Sequence, residues 1–258
     1  MLPPYSELGS GPPVVLIHAF PLSRSMWAET AAAVARAGFR VITPDHRGFG
    51  ENSSLADIHT MDEMASDVRD LLDHLSIPAA TVGGLSMGGY VTMALYRLDP
   101  RRFTSLMLFD TTAAADTEEK RNGRFELIGR IESEGVGAVV EAFLPKLIGV
   151  STMNSQPELA GRIEQWIRNA DPNGIIAALR GMADRADSTT LLERVSVPTL
   201  LIFGEEDEIT GRDAALGLTD AIPHAACTTI VGSGHLSNLE RPDPFNSAVI
   251  DHLESISK

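Results

Sequence analysis

The stretch "ATVGGLSMGGYVTMA" (residues 80–94) sets one hydroxyl, Ser86, between Gly84 on one side and Gly88 and Gly89 on the other. An alkyl hydroxyl is almost wholly protonated at neutral pH. It becomes a nucleophile only beside a general base, and the base needs a carboxylate to orient it. The chemistry to look for is therefore serine with histidine and an acid, acting on a carbonyl. Glycine inside a strand or helix costs about 0.5–1 kcal/mol relative to alanine, so the crowding around Ser86 needs a steric or functional reason. "GLSMG" fits G-x-S-x-G, a serine held on a strained turn between a strand and a helix. Gly84 and Gly88 would remove side chains where the two backbones approach, and Gly89 would help the new helix pack. The helix N-terminus would favour a developing oxyanion.

Five residues of pattern carry little information without their context. Here "AATV" before the motif is strand-like and "YVTMALYRL" after it is helix-like. The partners should follow in the order serine, acid, histidine, each on a loop after a later strand. Three histidines follow the apolar run "TLLIFG". His252 lies in the amphipathic stretch "DPFNSAVIDHLESI", His224 precedes a strand in "AIPHA", and only His235, in "GSGHLSNLERP", stands just beyond a strand end. For the acid, "FGEEDEIT" offers Glu205, Glu206, Asp207 and Glu208, and spacing does not choose among them. Asp110, closing "SLMLFD", competes, because sites in such sheets form at the carboxyl ends of strands. Taken singly, each is as simply a solvated carboxylate or a capped turn.

The elements that must position these groups are short apolar runs at residues 14–17, 40–43, 80–84, 105–110, 199–204 and 228–232. Continuous rather than alternating apolar character suits parallel strands buried on both faces. Amphipathic stretches separate them. In "TMDEMASDVRDLLDHL", Met61, Met64, Val68, Leu71, Leu72 and Leu75 keep helical spacing. The alternation implies an α/β fold, a mostly parallel central sheet with helices on both faces. It breaks once, where "RFELIGRIESEG", "AVVEAFLPKLIG", "ELAGRIEQWIRNAD" and "GIIAALRGMADRAD" read as helices. Residues 1–110 and 188–258 are thus expected to form the core and 111–187 a helical cap inserted over the sheet edge. Such insertions often shape pockets. Individual apolar residues there, Trp166 and Met153 included, are expected to pack rather than touch substrate.

With 258 residues, 43% of them hydrophobic, the chain can bury a full core. A formal charge of −14, with the acids scattered, argues against nucleic acid as a partner. No apolar run reaches the ~18 residues that span a bilayer, and the start "MLPPYSELGS" lacks the pattern of a signal peptide, so a cytoplasmic protein without a membrane partner is expected. The single cysteine, Cys227, permits no intrachain disulfide and reads as an inert thiol of a strand.

Together the motifs resemble those of serine hydrolases of the α/β-hydrolase fold, over about residues 11–244. "HAFPLSRSMW" is similar to the H-G-F-P segment, "DHRGFGENS" to the D-x-R-G-x-G-x-S turn and "GGLSMGG" to the nucleophile elbow. "VPTLLIFGEEDEIT" and "GSGHLSNLERP" match the acid and histidine segments. The resemblance implies Ser86 as nucleophile, His235 as base and Asp207 as acid, because the family's G-x-x-D-x-I falls on Gly204, Asp207 and Ile209. It implies an oxyanion hole from the backbone N–H groups of Phe20 and Met87, no metal or organic cofactor, and structural roles for His18 and Arg47. Trp27 reads as an anchor against the sheet. The cap would follow the sixth strand of the family's sheet. Two departures stand out. Ala19 replaces a glycine beside the oxyanion loop, and its Cβ restricts the backbone there. With only "YSEL" before "GSGPP", the N-terminal edge strands are expected to be shortened or missing. The closest likeness is to small bacterial carboxylesterases acting on small esters; 3-oxoadipate enol-lactonases and cofactor-free haloperoxidases share nearly all the motifs. A lactone is a cyclic ester, and peroxide can replace water at an acyl-enzyme. A non-catalytic ligand receptor on the same scaffold is the remaining alternative, and either a monomer or a small homo-oligomer is compatible.

Overall fold

A computed structural model describes residues 2–54 and 56–257. Its strands are β1 (Tyr5–Leu8), β2 (Pro13–Ile17), β3 (Arg40–Pro44), β4 (Ala80–Leu85), β5 (Phe103–Phe109), β6 (Thr199–Gly204) and β7 (Ala226–Ile230). They form one sheet in the order β1-β3-β2-β4-β5-β6-β7. Every pairing is parallel except that of β1 with β3. The continuous apolar runs have the expected cause: every residue of β4 is buried, and β5 and β6 are buried almost throughout.

The helices are α1 (Ala28–Arg36), preceded by a 3-10 turn at Arg24–Trp27, α2 (Met61–His74) and α3 (Met87–Leu98). Between β5 and β6 run α4 (Glu118–Glu134), α5 (Gly137–Leu147), α6 (Val150–Ser155), α7 (Pro157–Arg168), α8 (Pro172–Ala183) and the short α9 (Thr189–Leu192). Then come α10 (Gly211–Ala221), α11 (Ser237–Glu240) and α12 (Pro242–Ile256). The start of α2 follows from its sequence. Thr60 Oγ1 accepts from the Glu63 amide while the Glu63 carboxylate accepts from the Thr60 amide, and the apolar stripe from Met61 to Leu72 is buried. Helix α1 packs on α12 and α2 on α3, which covers both faces of the sheet. Trp27 is fully buried against Phe109 of β5 and Phe245 of α12, with ring centroids 6.1 Å away in each case.

The N-terminal edge is a single four-residue strand. "YSEL" pairs antiparallel from Tyr5 opposite Pro44 to Leu8 opposite Val41. Its residues are mostly exposed, so it lacks the apolar run that marks the inner strands. At the opposite edge β7 begins two residues before the apolar run. Cys227 is exposed there rather than buried, because β7 has a neighbour on one side only. Among the described residues no helix is long and apolar enough to cross a membrane.

Candidate active site

Ser86 occupies the turn between β4 and α3 as the residue before the first turn of the helix, with φ 57° and ψ −115°. Among the described residues the non-glycine positions with positive φ are Ser76, Ser86 and Asp110. A side chain in that region is strained, and the surroundings hold it there. The Ser86 amide donates to Phe109 O (3.0 Å), and Thr111 Oγ1 donates to Ser86 O (2.8 Å), so strand β5 and its exit fix both ends of the residue. The glycines act by absence. A Cβ on Gly84 would stand 2.1 Å from Gly88 O, and one on Gly88 would stand 2.2 Å from Ile17 O. Gly89 makes room for Thr111, whose Oγ1 would lie 2.5 Å from an added Cβ.

His235 lies in the loop after β7, and Asp207 in the loop after β6. His235 Nδ1 stands 3.0 Å from both Asp207 carboxylate oxygens. An ionised carboxylate only accepts, so Nδ1 carries the proton and the neutral ring keeps its Nε2 lone pair. Asp207 Oδ1 also accepts from the Ile209 amide (2.8 Å) and the Thr210 amide (3.3 Å), and Oδ2 accepts from Thr210 Oγ1. Burial opposes charge on Asp207, but the His235 ring and these donors outweigh it and hold the carboxyl at about 2. Burial likewise opposes protonation of His235. The Asp207 charge and hydrogen bond prevail, with smaller help from Asp110 and Glu240, and raise the imidazole above its ordinary value.

The other candidates are engaged elsewhere. Glu205 accepts from the Gly232 amide (2.9 Å) and Glu206 from the Ser151 amide (2.9 Å), while Glu208 is exposed at the cavity rim. Asp110 is fully buried, and accepts from the Gly204 amide (2.6 Å) and bonds Ser237 Oγ. Burial, with the Asp207 charge nearby, pushes its pKa well above the ordinary value. His224 Nε2 bonds Val197 O (3.2 Å) and His252 Nε2 bonds Ser105 Oγ (2.7 Å).

Ser86, His235 and Phe20 line one cavity of about 400 Å³. Met87 is wholly buried at the first turn of α3, and neither its amide nor that of Phe20 donates to a protein acceptor among the described residues. Ala19 has an ordinary negative φ, so its Cβ imposes no strain. Its amide donates to Met26 Sδ (3.2 Å) and its carbonyl accepts from Leu22 N (2.9 Å), which sets the course of the loop through Phe20. His18 ties that loop to the one after β3. Its Nδ1 donates to Ala19 O and its Nε2 accepts from the His46 amide, both at 3.0 Å. Arg47 bonds Asp67 at 2.5 and 2.8 Å. Both are bracing contacts.

Sequence reasoning passed over several residues. Glu240, nearly fully buried, accepts from the amides of Gly149 (2.9 Å), Gly234 (3.0 Å) and Leu236 (3.2 Å), and so clamps the His235 loop. A charged residue five positions after the histidine was its only signal. Much of the remaining cavity wall comes from α4, α5 and α8, including Lys120, Arg124, Leu127, Phe143, Lys146, Leu179 and Met182, with Asp116 and Arg185 beside them and Tyr90 of α3 and the loop after β6 adding to it. Trp166 and Met153 lie outside this wall, and Met153 is exposed. Among the described residues no group of three or more His, Cys, Asp or Glu is arranged to hold a metal ion.

A serine on a strand-to-helix turn shares a cavity with an acid-bonded histidine, and residues 12–242 match the model of the alpha/beta hydrolase fold. The chain belongs to the α/β-hydrolase fold family. The fold described above is that of solved α/β hydrolases. A thermophilic esterase from Thermogutta terrifontis, solved with malate bound, superposes with a TM-score of 0.95 at 38% identity over 99% of this chain and 94% of its own. The enol-lactonase from Burkholderia xenovorans LB400 has a TM-score of 0.89 at 29% identity, covering 97% of this chain and 95% of its own. In sequence, 3-oxoadipate enol-lactonase 2 of Acinetobacter baylyi is 28% identical over 95% of this chain and 90% of its own length. Non-heme haloperoxidases are also among the relatives of this α/β hydrolase.

Proposed function

We propose that the protein is a serine carboxylesterase that hydrolyses small carboxylic esters through an acyl-enzyme. The observation that carries this reading is the Asp207-bonded His235 imidazole lining the same cavity as Ser86, a serine held at positive φ on a strand-to-helix turn. Ser86 Oγ attacks the ester carbonyl carbon as its proton passes to His235 Nε2. The amides of Phe20 and Met87 receive the oxyanion. The bond to the alcohol breaks, and the leaving oxygen takes the proton from His235. Water then gives a proton to His235 and adds to the acyl carbon. The bond to Ser86 breaks, its hydroxyl regains the proton and the carboxylic acid departs. Asp207 holds the ring in the tautomer this needs and stabilises the imidazolium.

In this reading residues 111–187 form the cap, with α4, α5 and α8 closing the cavity over Ser86. The enol-lactonases among the relatives support a second substrate, a lactone, opened by the same steps with the leaving oxygen still tethered to the acyl chain. Hydrolysis of 4-nitrophenyl acetate tests the chemistry. Release of nitrophenol that Ser86→Ala abolishes is the expected result, and an unchanged rate in that variant would overturn it. A panel of short esters and lactones then ranks the two substrates.

A further inference from the structure

The charges around the cavity run against the rest of the molecule. The chain carries −14 overall, yet Lys120, Arg124, Lys146 and Arg185 line this cavity against two carboxylates, Asp116 and Glu208. Asp116 is already engaged: Arg124 Nε (2.5 Å) and Arg185 Nη1 (2.5 Å) both donate to it, so two guanidiniums share one carboxylate. Arg185 is buried over the face of Tyr90, its Cζ 4.1 Å from the ring centroid, and its Nε has no partner.

The lysines are more telling. The chain has three: Lys120, Lys146 and Lys258, the last outside the described residues. Both of the others, one on α4 and one on α5, are on the cavity wall. Acids abound on these helices, and the neighbouring arginines find them: Arg121 pairs with Asp184 (2.8 Å), and Arg130 with Glu134 (2.9 Å) and Glu141 (2.7 Å). Neither lysine forms an ion pair among the described residues. A cleft of net positive charge within a molecule of net negative charge concentrates anionic ligands.

We infer that the substrate carries a carboxylate of its own, separate from the ester or lactone bond, which Lys120 and Lys146 receive at the cavity rim with the excess guanidinium charge behind them. This rests on the serine-hydrolase reading and narrows it from small esters in general to singly charged ones, such as monoesters of dicarboxylic acids or lactones bearing a carboxylate. The ammonium groups are exposed and solvated, so they act through attraction on approach and weak pairing once bound.

Two matched pairs of compounds test this. Monoethyl adipate and its neutral ω-amide place the charge on the acyl side; 6-acetoxyhexanoate and its amide place it on the alcohol side. At low salt, kcat/KM for the acid is expected to exceed that for its amide by about tenfold in at least one pair, the size expected of two exposed ionic contacts. The ratio should shrink as sodium chloride is raised, and fall towards one in a Lys120→Gln, Lys146→Gln double variant. Amides hydrolysed as fast as their acids in both pairs would overturn the inference while leaving the serine chemistry intact. A preference for the acids that survives the double substitution would overturn the assignment to the lysines. If no ester, 4-nitrophenyl acetate included, shows turnover that depends on Ser86, the underlying reading fails and this inference fails with it.

Discussion

The loops at the strand ends and the helices between β5 and β6 hold their charges in opposite ways. At the strand ends Asp207, Asp110 and Glu240 are buried, and each takes backbone N–H donors. Such donors cannot swing away, so the geometry is as rigid as the sheet. On α4 and α5 the paired charged groups are held by other side chains, and many are exposed. Side-chain pairs of that kind contribute about 0–1 kcal/mol each and re-form readily after substitution. The contrast divides the labour: the rigid loops suit bond making and breaking, and the helices suit the choice of what enters. Substitutions in the first region should change kcat for every substrate. Substitutions in the second should change the ranking of substrates.

The largest effect is expected at Ser86. Ser86→Ala removes the proposed attacking atom and should lower kcat by about 10⁶-fold on all esters alike, with the fold intact by circular dichroism. A loss confined to some substrates would erase the distinction between the regions. Next come the two buried aspartates. Asp207→Asn swaps an acceptor for a donor opposite Nδ1 and forces the wrong tautomer, which should cost about 10⁴-fold in kcat. Asp110→Asn keeps the shape and the acceptor for Gly204 N at a residue that is not the one bonded to His235, so activity should stay within about tenfold of the parent. If Asp110→Asn proved the more damaging, the acid role would pass to that residue.

How much of this the sequence contains follows the same division. Inner strands were legible because burial on both faces leaves continuous apolar runs. The exposed β1 was not, since backbone bonds and one Glu7–Arg40 ion pair hold it to β3 and it carries no apolar run. Ser86 and His235 could be picked out by their places at strand ends. Spacing could not choose among Glu205, Glu206, Asp207 and Glu208, because they are consecutive and only the turn decides which one faces the ring. The family pattern pointed to Asp207, and Asp207 is the one bonded to His235. The cavity wall was the least legible. Lys120 lies on the same face of α4 as Leu127 and Ile131, seven and eleven residues on, but periodicity does not tell that this face meets a cavity, which depends on how α4, α5 and α8 pack.

The pH dependence sharpens the comparison further. In the proposed mechanism His235 must be neutral to take the Ser86 proton, so kcat/KM should fall as pH drops through the His235 pKa. Pairing with Asp207 places that limb above the ordinary histidine value. Asp207, at about 2, stays ionised throughout and adds no limb of its own near neutrality. In Asp207→Asn the attraction is gone while burial remains, so the acid limb of the residual activity should lie at a lower pH than in the parent. The same limb in both proteins would mean that the pair is not what titrates. Substitution of Lys120 or Lys146 on the helices should leave the limb in place.

The smallest effect expected is at Thr111, where the rigid region meets the first residues of the interposed segment. Its hydroxyl donates to Ser86 O, and its side chain fills the space left by Gly89. Thr111→Val keeps the branched shape and deletes the donor, leaving a buried carbonyl short of one partner. The loss should be about 1 kcal/mol of stability, read as a lower melting temperature. Because the bond fixes the backbone of Ser86 and does not touch the substrate, kcat should fall only about threefold, with KM unchanged for charged and neutral esters alike. A shift in KM for one substrate class would place Thr111 with the selecting helices. A loss above about a hundredfold in kcat would mean that the strained turn depends on this one hydroxyl, so that its rigidity comes from a side chain and not from the sheet.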